Sequence, residues 1–181
     1  MKRPVAIAAG VALVGLVASM TFASASQDGG TRRLSWQRLV AAAPSAVKAG
    51  AADCDERLVV RERNASETEI DNPPEGFSQG DETAFAGDLF RQGRKVGYDD
   101  GHAVFTLVTE TEVRVEVQAT ATVRGDEITV AGSLTFTEEA VPDPELSIVG
   151  GTGRYDDVGG EFTLVEQQGG PRFVFCLNHL D

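Results

Sequence analysis

The sequence predicts an all-β fold of about eight short strands, a closed barrel or a two-sheet sandwich, and three features carry that expectation. Val113, Val115, Val117, Ala119, Ala121 and Val123 alternate with Arg114, Glu116, Gln118, Thr120, Thr122 and Arg124. That period of two puts one set on a buried face and the other in solvent, which no helix does. Short apolar segments recur after residue 55, set apart by clusters of Gly, Asn and Pro. Gly87 and Gly132 interrupt such segments, as bends at barrel corners require.

The elements follow in order. Leu58 to Asn64 is the first strand, and the polar run Asn72-Pro73-Pro74-Glu75-Gly76 a loop. Thr83 to Phe90 is the second strand, closed by a Gln92-Gly93 turn, and Ala103 to Thr109 the third. Val113 to Arg124 is the fourth. Gly125-Asp126 turns it tightly into the fifth, which carries Ile128, Val130, Leu134 and Phe136. A loop with Pro142 and Pro144 leads to Leu146 to Val149, then to a glycine cluster, then to Phe162 to Val165. Gln167-Gln168-Gly169-Gly170-Pro171 turns into the last strand, Phe173 to Asn178.

The glycine cluster, Ser147-Ile148-Val149-Gly150-Gly151-Thr152-Gly153-Arg154-Tyr155, invites a nucleotide-binding reading and fails it. A phosphate-binding loop needs Lys and then Ser or Thr after its last glycine, and here Arg154-Tyr155-Asp156-Asp157 follows. A dinucleotide fingerprint needs Gly where Asp156 stands, and that carboxylate would repel a pyrophosphate. The cluster reads as a strand–turn–strand corner.

The chain has 181 residues. Residues 1–25 read as an export signal: Lys2 and Arg3, an apolar stretch from Val5 to Val17 too short to span a bilayer comfortably, and Ala23-Ser24-Ala25 as cleavage site. The alternative is an uncleaved amino-terminal anchor. The expected mature protein is secreted, with no membrane association after signal cleavage. Loss of Lys2 and Arg3 leaves 14 basic residues against 28 acidic ones. Such a charge argues against nucleic acid as a partner. Residues 26–54 read as a flexible or partly helical leader, and 55–181 as one domain with one core.

Cys54 and Cys176 flank the first and last strands, which are neighbours in a closed antiparallel barrel. A disulfide there would enclose more than a hundred residues, contributing about 4 kcal/mol in the chain-entropy model. Strict alternation opposes it: Cys176 is out of phase with Phe173, Phe175 and Leu177, whereas Cys54 is in phase with Leu58 and Val60. The bridge therefore requires Cys54 to precede the strand proper.

One set of segments resembles a known family. It comprises Gly80-Asp81, Phe85-x-Gly87-Asp88-Leu89, Lys95-Val96-Gly97 with Gly101, and Ile128-x-Val130-x-Gly132, then Ile148-Val149-Gly150-Gly151-Thr152-Gly153-Arg154-Tyr155 with Gly159-Gly160. In that order they resemble the allene oxide cyclase barrel-like superfamily, whose members include plant allene oxide cyclases, dirigent proteins and small exported bacterial homologues. The resemblance covers roughly residues 56 to 180. It implies an eight-stranded antiparallel barrel with an apolar cavity, often trimeric in plants, so a homotrimer is an expected assembly. Characterised members steer cyclisation or radical coupling of hydrophobic small molecules.

Glu62 and Asn64 share the phase of Leu58 and Val60, so an inward face would carry both into the barrel. A carboxyl desolvated there could act as acid or base. The resemblance singles this pair out, since the plant cyclases have a similar Glu-x-Asn on their first strand; a solvated rim position is the plain alternative. Asp88 aligns with an acidic position of the dirigent-like segment and is the third candidate catalytic residue. It could equally face solvent, because Phe85, Gly87 and Leu89 occupy the other phase. Val60, Phe85, Phe105, Val115, Val117, Phe136 and Phe162 are the expected ligand-binding wall. Where the cyclases place a cysteine on the third strand this chain has His102-Ala103, and the expected cavity tyrosine is replaced by Leu134 or Phe136.

Other chemistries lack their residues. His102 and His179 have no companion at metal-ligand spacing, so no metal and no cofactor are expected. Asp99-Asp100, Glu138-Glu139 and Asp156-Asp157 read as solvated corners without calcium-loop spacing. Ser133 and Ser147 lack a nucleophile-elbow context. The expectation is an exported barrel that binds a hydrophobic small molecule, either as a cofactor-free isomerase, cyclase or dirigent-like stereocontrol protein, or as a non-catalytic carrier or interaction module.

Overall fold

The computed structural model describes residues 54–137, 145–165, 167 and 169–180. Its strands are β1 (Glu56–Ile70), β2 (Glu82–Arg91), β3 (Arg94–Val108), β4 (Glu112–Val123), β5 (Asp126–Thr137), β6 (Glu145–Gly151), β7 (Val158–Val165) and β8 (Arg172–His179). A 3-10 turn, Gly153–Tyr155, joins β6 to β7. Each strand pairs antiparallel with the next, and β8 returns to β1, so the sheet closes into an eight-stranded barrel. The ladder from Glu56↔Leu177 to Arg61↔Arg172 decides between barrel and sandwich. Among the described residues no helix is long and apolar enough to cross a membrane. The expected signal and leader fall outside the described residues, apart from Cys54.

The alternation that predicted the strands also builds the core. Leu58, Val60, Leu89, Phe105, Val115, Ile128, Leu134, Ile148, Phe162 and Phe175 point inward and join one buried cluster. Each such side chain contributes about 1.5–3 kcal/mol on burial, so a one-residue slip of any strand is strongly opposed.

Several boundaries differ from expectation, and β1 runs on to Ile70 instead of ending at Asn64. β3 begins at Arg94, not Ala103, because β2 offers its polar first half a ladder running from Arg91↔Arg94 to Glu82↔Val104. Backbone pairing there outweighs the weak strand preference of Gly, Lys and Asp. The β4–β5 turn is Arg124-Gly125, with φ of 58° and 97°, and Asp126 already pairs with Val123. Positive φ at both central residues is the type I′ pattern that matches strand twist. β7 begins at Val158, four residues before Phe162, so the glycine corner is shorter than its sequence implied. A Cβ at Gly151 would lie 2.5 Å from Tyr155 O, which only glycine avoids. Tyr155 itself is buried in the core cluster, at the barrel end that also holds the β2–β3 and β4–β5 turns.

Cys54 and Cys176 form a disulfide, with Cα atoms 5.2 Å apart and a sequence separation of 122. Cys54 precedes β1 and escapes its alternation, while Cys176 lies opposite Arg57 on the outer face.

Candidate functional site inside the barrel

β1 presents two inward runs separated by a bulge. Leu58, Val60 and Glu62 face in; then Asn64 and Ala65 together oppose Gly87, and Asn64 takes a φ of 55°. The extra residue reverses the phase, so Glu67 and Glu69 face in beside Phe85 and Thr83. This bulge corrects one expectation. Glu62 and Asn64 do not share a face, and Asn64 lies on the outer wall.

Asn64 meets Asp88 there, donating its amide to Oδ2 at 2.9 Å, and Lys95 closes an ion pair on Oδ1 of the same carboxylate. Asp88 is in register with Arg63 and Tyr98, both exposed, so it too faces outward. The hydrogen bonds from Lys95 and then Asn64 hold its carboxyl below the ordinary value. Of the three residues expected to be catalytic, Glu62 alone is placed inside.

Glu62 is 8% exposed. Its carboxyl lies over Gly87: a Cβ on that glycine would be 2.6 Å from Glu62 Cγ and 2.8 Å from Cδ. The missing side chain on β2 thus makes room for the acid from β1. Directly across from Gly87, on β3, stands Asp99, only 3% exposed. The two acids thus stand on either side of Gly87, Glu62 from β1 and Asp99 from β3, and line the same stretch of the interior. Burial pushes the Asp99 carboxyl up to about 7, with the charges of Asp100 and Asp88 adding to the effect and a backbone hydrogen bond opposing it. Its Oδ1 has no hydrogen-bond partner among the described residues.

Small residues surround Asp99. Gly97 and Gly101 flank it on the inner side of β3, and Ala119 and Ala121 line β4 beside it, with Ala121 its direct register partner. Phe85 reaches over Gly101, its Cζ 2.7 Å from where a Cβ would be. Phe85 and Ala119 face inward yet are only partly buried, so solvent reaches this part of the inner wall. The β1–β8 ladder stops at Arg61↔Arg172, while β1 runs on to Ile70 with β2 alone beside it. The barrel therefore opens at this end, between the far half of β1 and the turn before β8.

Loop 71–81 covers the opening in part. Asp81 anchors it, accepting the backbone N–H of Asn72 at 3.0 Å and that of Ser78 at 2.8 Å. Phe77 on this loop packs edge-on against Phe105, with ring centroids 4.9 Å apart.

The seven residues expected as the ligand wall all lie on the inner side. Val60, Phe105, Val115, Val117, Phe136 and Phe162 belong to the core cluster, and Phe85 packs against it. Asp99 was missed, being read with Asp100 as a solvated corner. The signal was present in the phase of Ala103 and Phe105, which projects back through Gly101 onto Asp99. Among the described residues no group of three His, Cys, Asp or Glu side chains is placed to hold a metal ion.

Comparison with known proteins follows the fold. A solved structure described as pyocyanin demethylase superposes with a TM-score of 0.58 and 25% identity, covering 68% of this chain and 100% of that one. A second, described as a nonspecific heme-binding cyclase that catalyses [4 + 2] cycloaddition during neoabyssomicin biosynthesis, gives 0.53 and 15%, covering 69% of this chain and 65% of that one. The likeness to the second shows the fold alone. Comparison with curated protein sequences finds no match. The family model for the allene oxide cyclase barrel-like domain matches residues 62–172, which spans β1 to the start of β8. By that match and by its closed eight-stranded barrel, the chain belongs to the allene oxide cyclase barrel-like family.

Proposed function

We propose that the barrel takes a hydrophobic small molecule into its interior and isomerises or cyclises it without a cofactor, with Glu62 and Asp99 handling the proton. The observation that carries this reading is the two buried acids on either side of Gly87, Glu62 lying over it and Asp99 across from it, in an interior walled mainly by apolar side chains. A carboxyl that ionises near 7 holds comparable amounts of acid and base at neutral pH, the condition for moving protons efficiently. Asp99 delivers a proton to one atom of the substrate, Glu62 accepts one from another, and between turnovers Glu62 releases its proton to water and Asp99 takes one up, restoring both carboxyls. The net change is a shifted hydrogen, so no electron acceptor is needed. The apolar wall holds the substrate in a folded conformer and excludes water, which is also all that dirigent-type stereocontrol requires. The Cys54–Cys176 disulfide and the amino-terminal signal pattern support action outside the cytoplasm.

Native mass spectrometry of protein from its own culture medium tests occupancy, with a retained small molecule as the expected result. Incubating that molecule with the protein in deuterated water should then introduce deuterium or yield an isomer. Glu62→Gln or Asp99→Asn should slow the reaction by about 100-fold or more. Retention of an unchanged ligand with no exchange would make the protein a carrier.

Gly87→Ala gives an independent check. Its added Cβ collides with the Glu62 side chain, a flexible group that can swing away, so stability should fall by only about 1 kcal/mol. Turnover should drop as far as in Glu62→Gln. Unchanged turnover would show that the Glu62 carboxyl need not lie over Gly87.

A further inference from the structure

We propose that the outer face of β7, β8 and β1 is the docking site of this chain's own amino-terminal leader, residues 26–53, which lays apolar side chains over Val59, Val165 and Val174. The observation behind it is burial on the solvent side of the barrel. Val165, Val174 and Cys176 are buried, yet all three face outward and none belongs to the core cluster. Val174 stands between Val59 and Thr163, and Val165 beside Arg172, out of phase with the inward Phe162, Phe173 and Phe175.

Neighbours in the sheet do not account for this burial. Side chains of adjacent strands stand beside one another, roughly perpendicular to the sheet, and leave the outer tip open. Val104, outward on β3 between Glu82 and Glu116, is only half-buried, and Val149, outward on β6, is 59% exposed. Val174 is 7% exposed. The described strands meet as ladder neighbours around the barrel, and none is stacked on the outside of this face. Arg172, on the same face, has its Nε buried with no acceptor among the described residues, a further sign of cover.

The leader is the segment placed to supply that cover. It runs up to Cys54, whose disulfide to Cys176 fixes its end on this face, two residues along β8 from Val174. Two strand residues span about 7 Å, whereas the ten residues between Ala43 and Cys54 reach up to about 30 Å when extended. Trp36, Leu39, Val40 and Ala43 recur at i, i+3, i+4 and i+7, the spacing of one apolar helical stripe, and Pro44 ends the pattern. Such a stripe is suited to an apolar strip of sheet. Segment 138–144 joins β5 to β6 and starts on none of the three strands concerned.

Trp36 is the chain's single tryptophan, so its fluorescence reports the contact directly. In the full chain its emission should be blue-shifted from that of tryptophan in water, and acrylamide should quench it several-fold more weakly. Neither property should change on dilution. Val174→Asp puts a charge on the strip, and Leu39→Asp leaves every residue of the barrel in place. Each should return Trp36 to solvent-like emission and quenching while the β-sheet signal in circular dichroism is retained. Val149→Asp, on the outer face of β6, should leave Trp36 shielded. Solvent-like emission in the parent protein would overturn the docking, as would shielding that survives both Val174→Asp and Leu39→Asp. A shift that fades on dilution would place Trp36 on the strip of a second copy and overturn the contact within one chain.

Discussion

Raising the pH from 4 to 8 is expected to destabilise the folded barrel by up to roughly 4 kcal/mol through Asp99 alone. The ordinary value for its carboxyl is 3.8, whereas burial lifts it in the fold to about 7. Between those values the folded state holds a proton that the unfolded chain has released. Stability therefore falls as pH rises through this window, by about 1.4 kcal/mol per unit, and levels off above 7. Asp99→Asn cannot ionise and removes that slope. Urea unfolding of both proteins from pH 4 to 8 isolates the contribution, because the remaining acids contribute equally to both. Parallel stability curves would show that Asp99 is not held as a buried acid.

The disulfide carries the other large effect. Its 122-residue separation gives about 4–5 kcal/mol in the chain-entropy model, and the Cys54→Ala/Cys176→Ala pair should lose most of it. The loss has a location. The bridge sits beside the outer end of the β1–β8 seam, which has six register pairs. Amide exchange should therefore accelerate first at residues 56–61 and 172–177. A loss below about 1 kcal/mol, or exchange rising evenly around the barrel, would show that the bridge does not secure this seam. Asp99 lies on β3, away from this seam, so the two effects should add.

The two arguments differ in how much of each was legible in the chain. The bridge could be anticipated from the positions of Cys54 and Cys176 at the ends of the barrel. Its parity objection dissolves once β1 begins at Glu56, leaving Cys54 outside the alternation. Asp99 was legible only in part. Its inward phase follows from Ala103 and Phe105, yet the stretch from Arg94 to His102 is too polar to read as strand without β2 beside it. Asn64 shows the opposite failure. Its residue type and phase matched a cavity position, and the bulge at Asn64-Ala65 turned it outward to Asp88 and Lys95. A bulge adds one residue to one strand and is fixed by pairing across strands, so a single strand's pattern does not announce it.

The sequence by itself determined the class of fold and most of its wall. Alternation with period two, turn residues at short intervals and the Ile148–Tyr155 segment sufficed for an eight-stranded barrel of this family. That information is local, carried by neighbouring residues whose side chains must choose one of two faces. The tertiary structure decided the chemistry of the interior. Glu62 from β1 lies over Gly87 of β2, which faces Asp99 of β3, and these three come from segments separated by 12 or more residues. Their juxtaposition depends on register, on a bulge and on an absent side chain. Those are properties of paired strands, and they exist only once the barrel has closed.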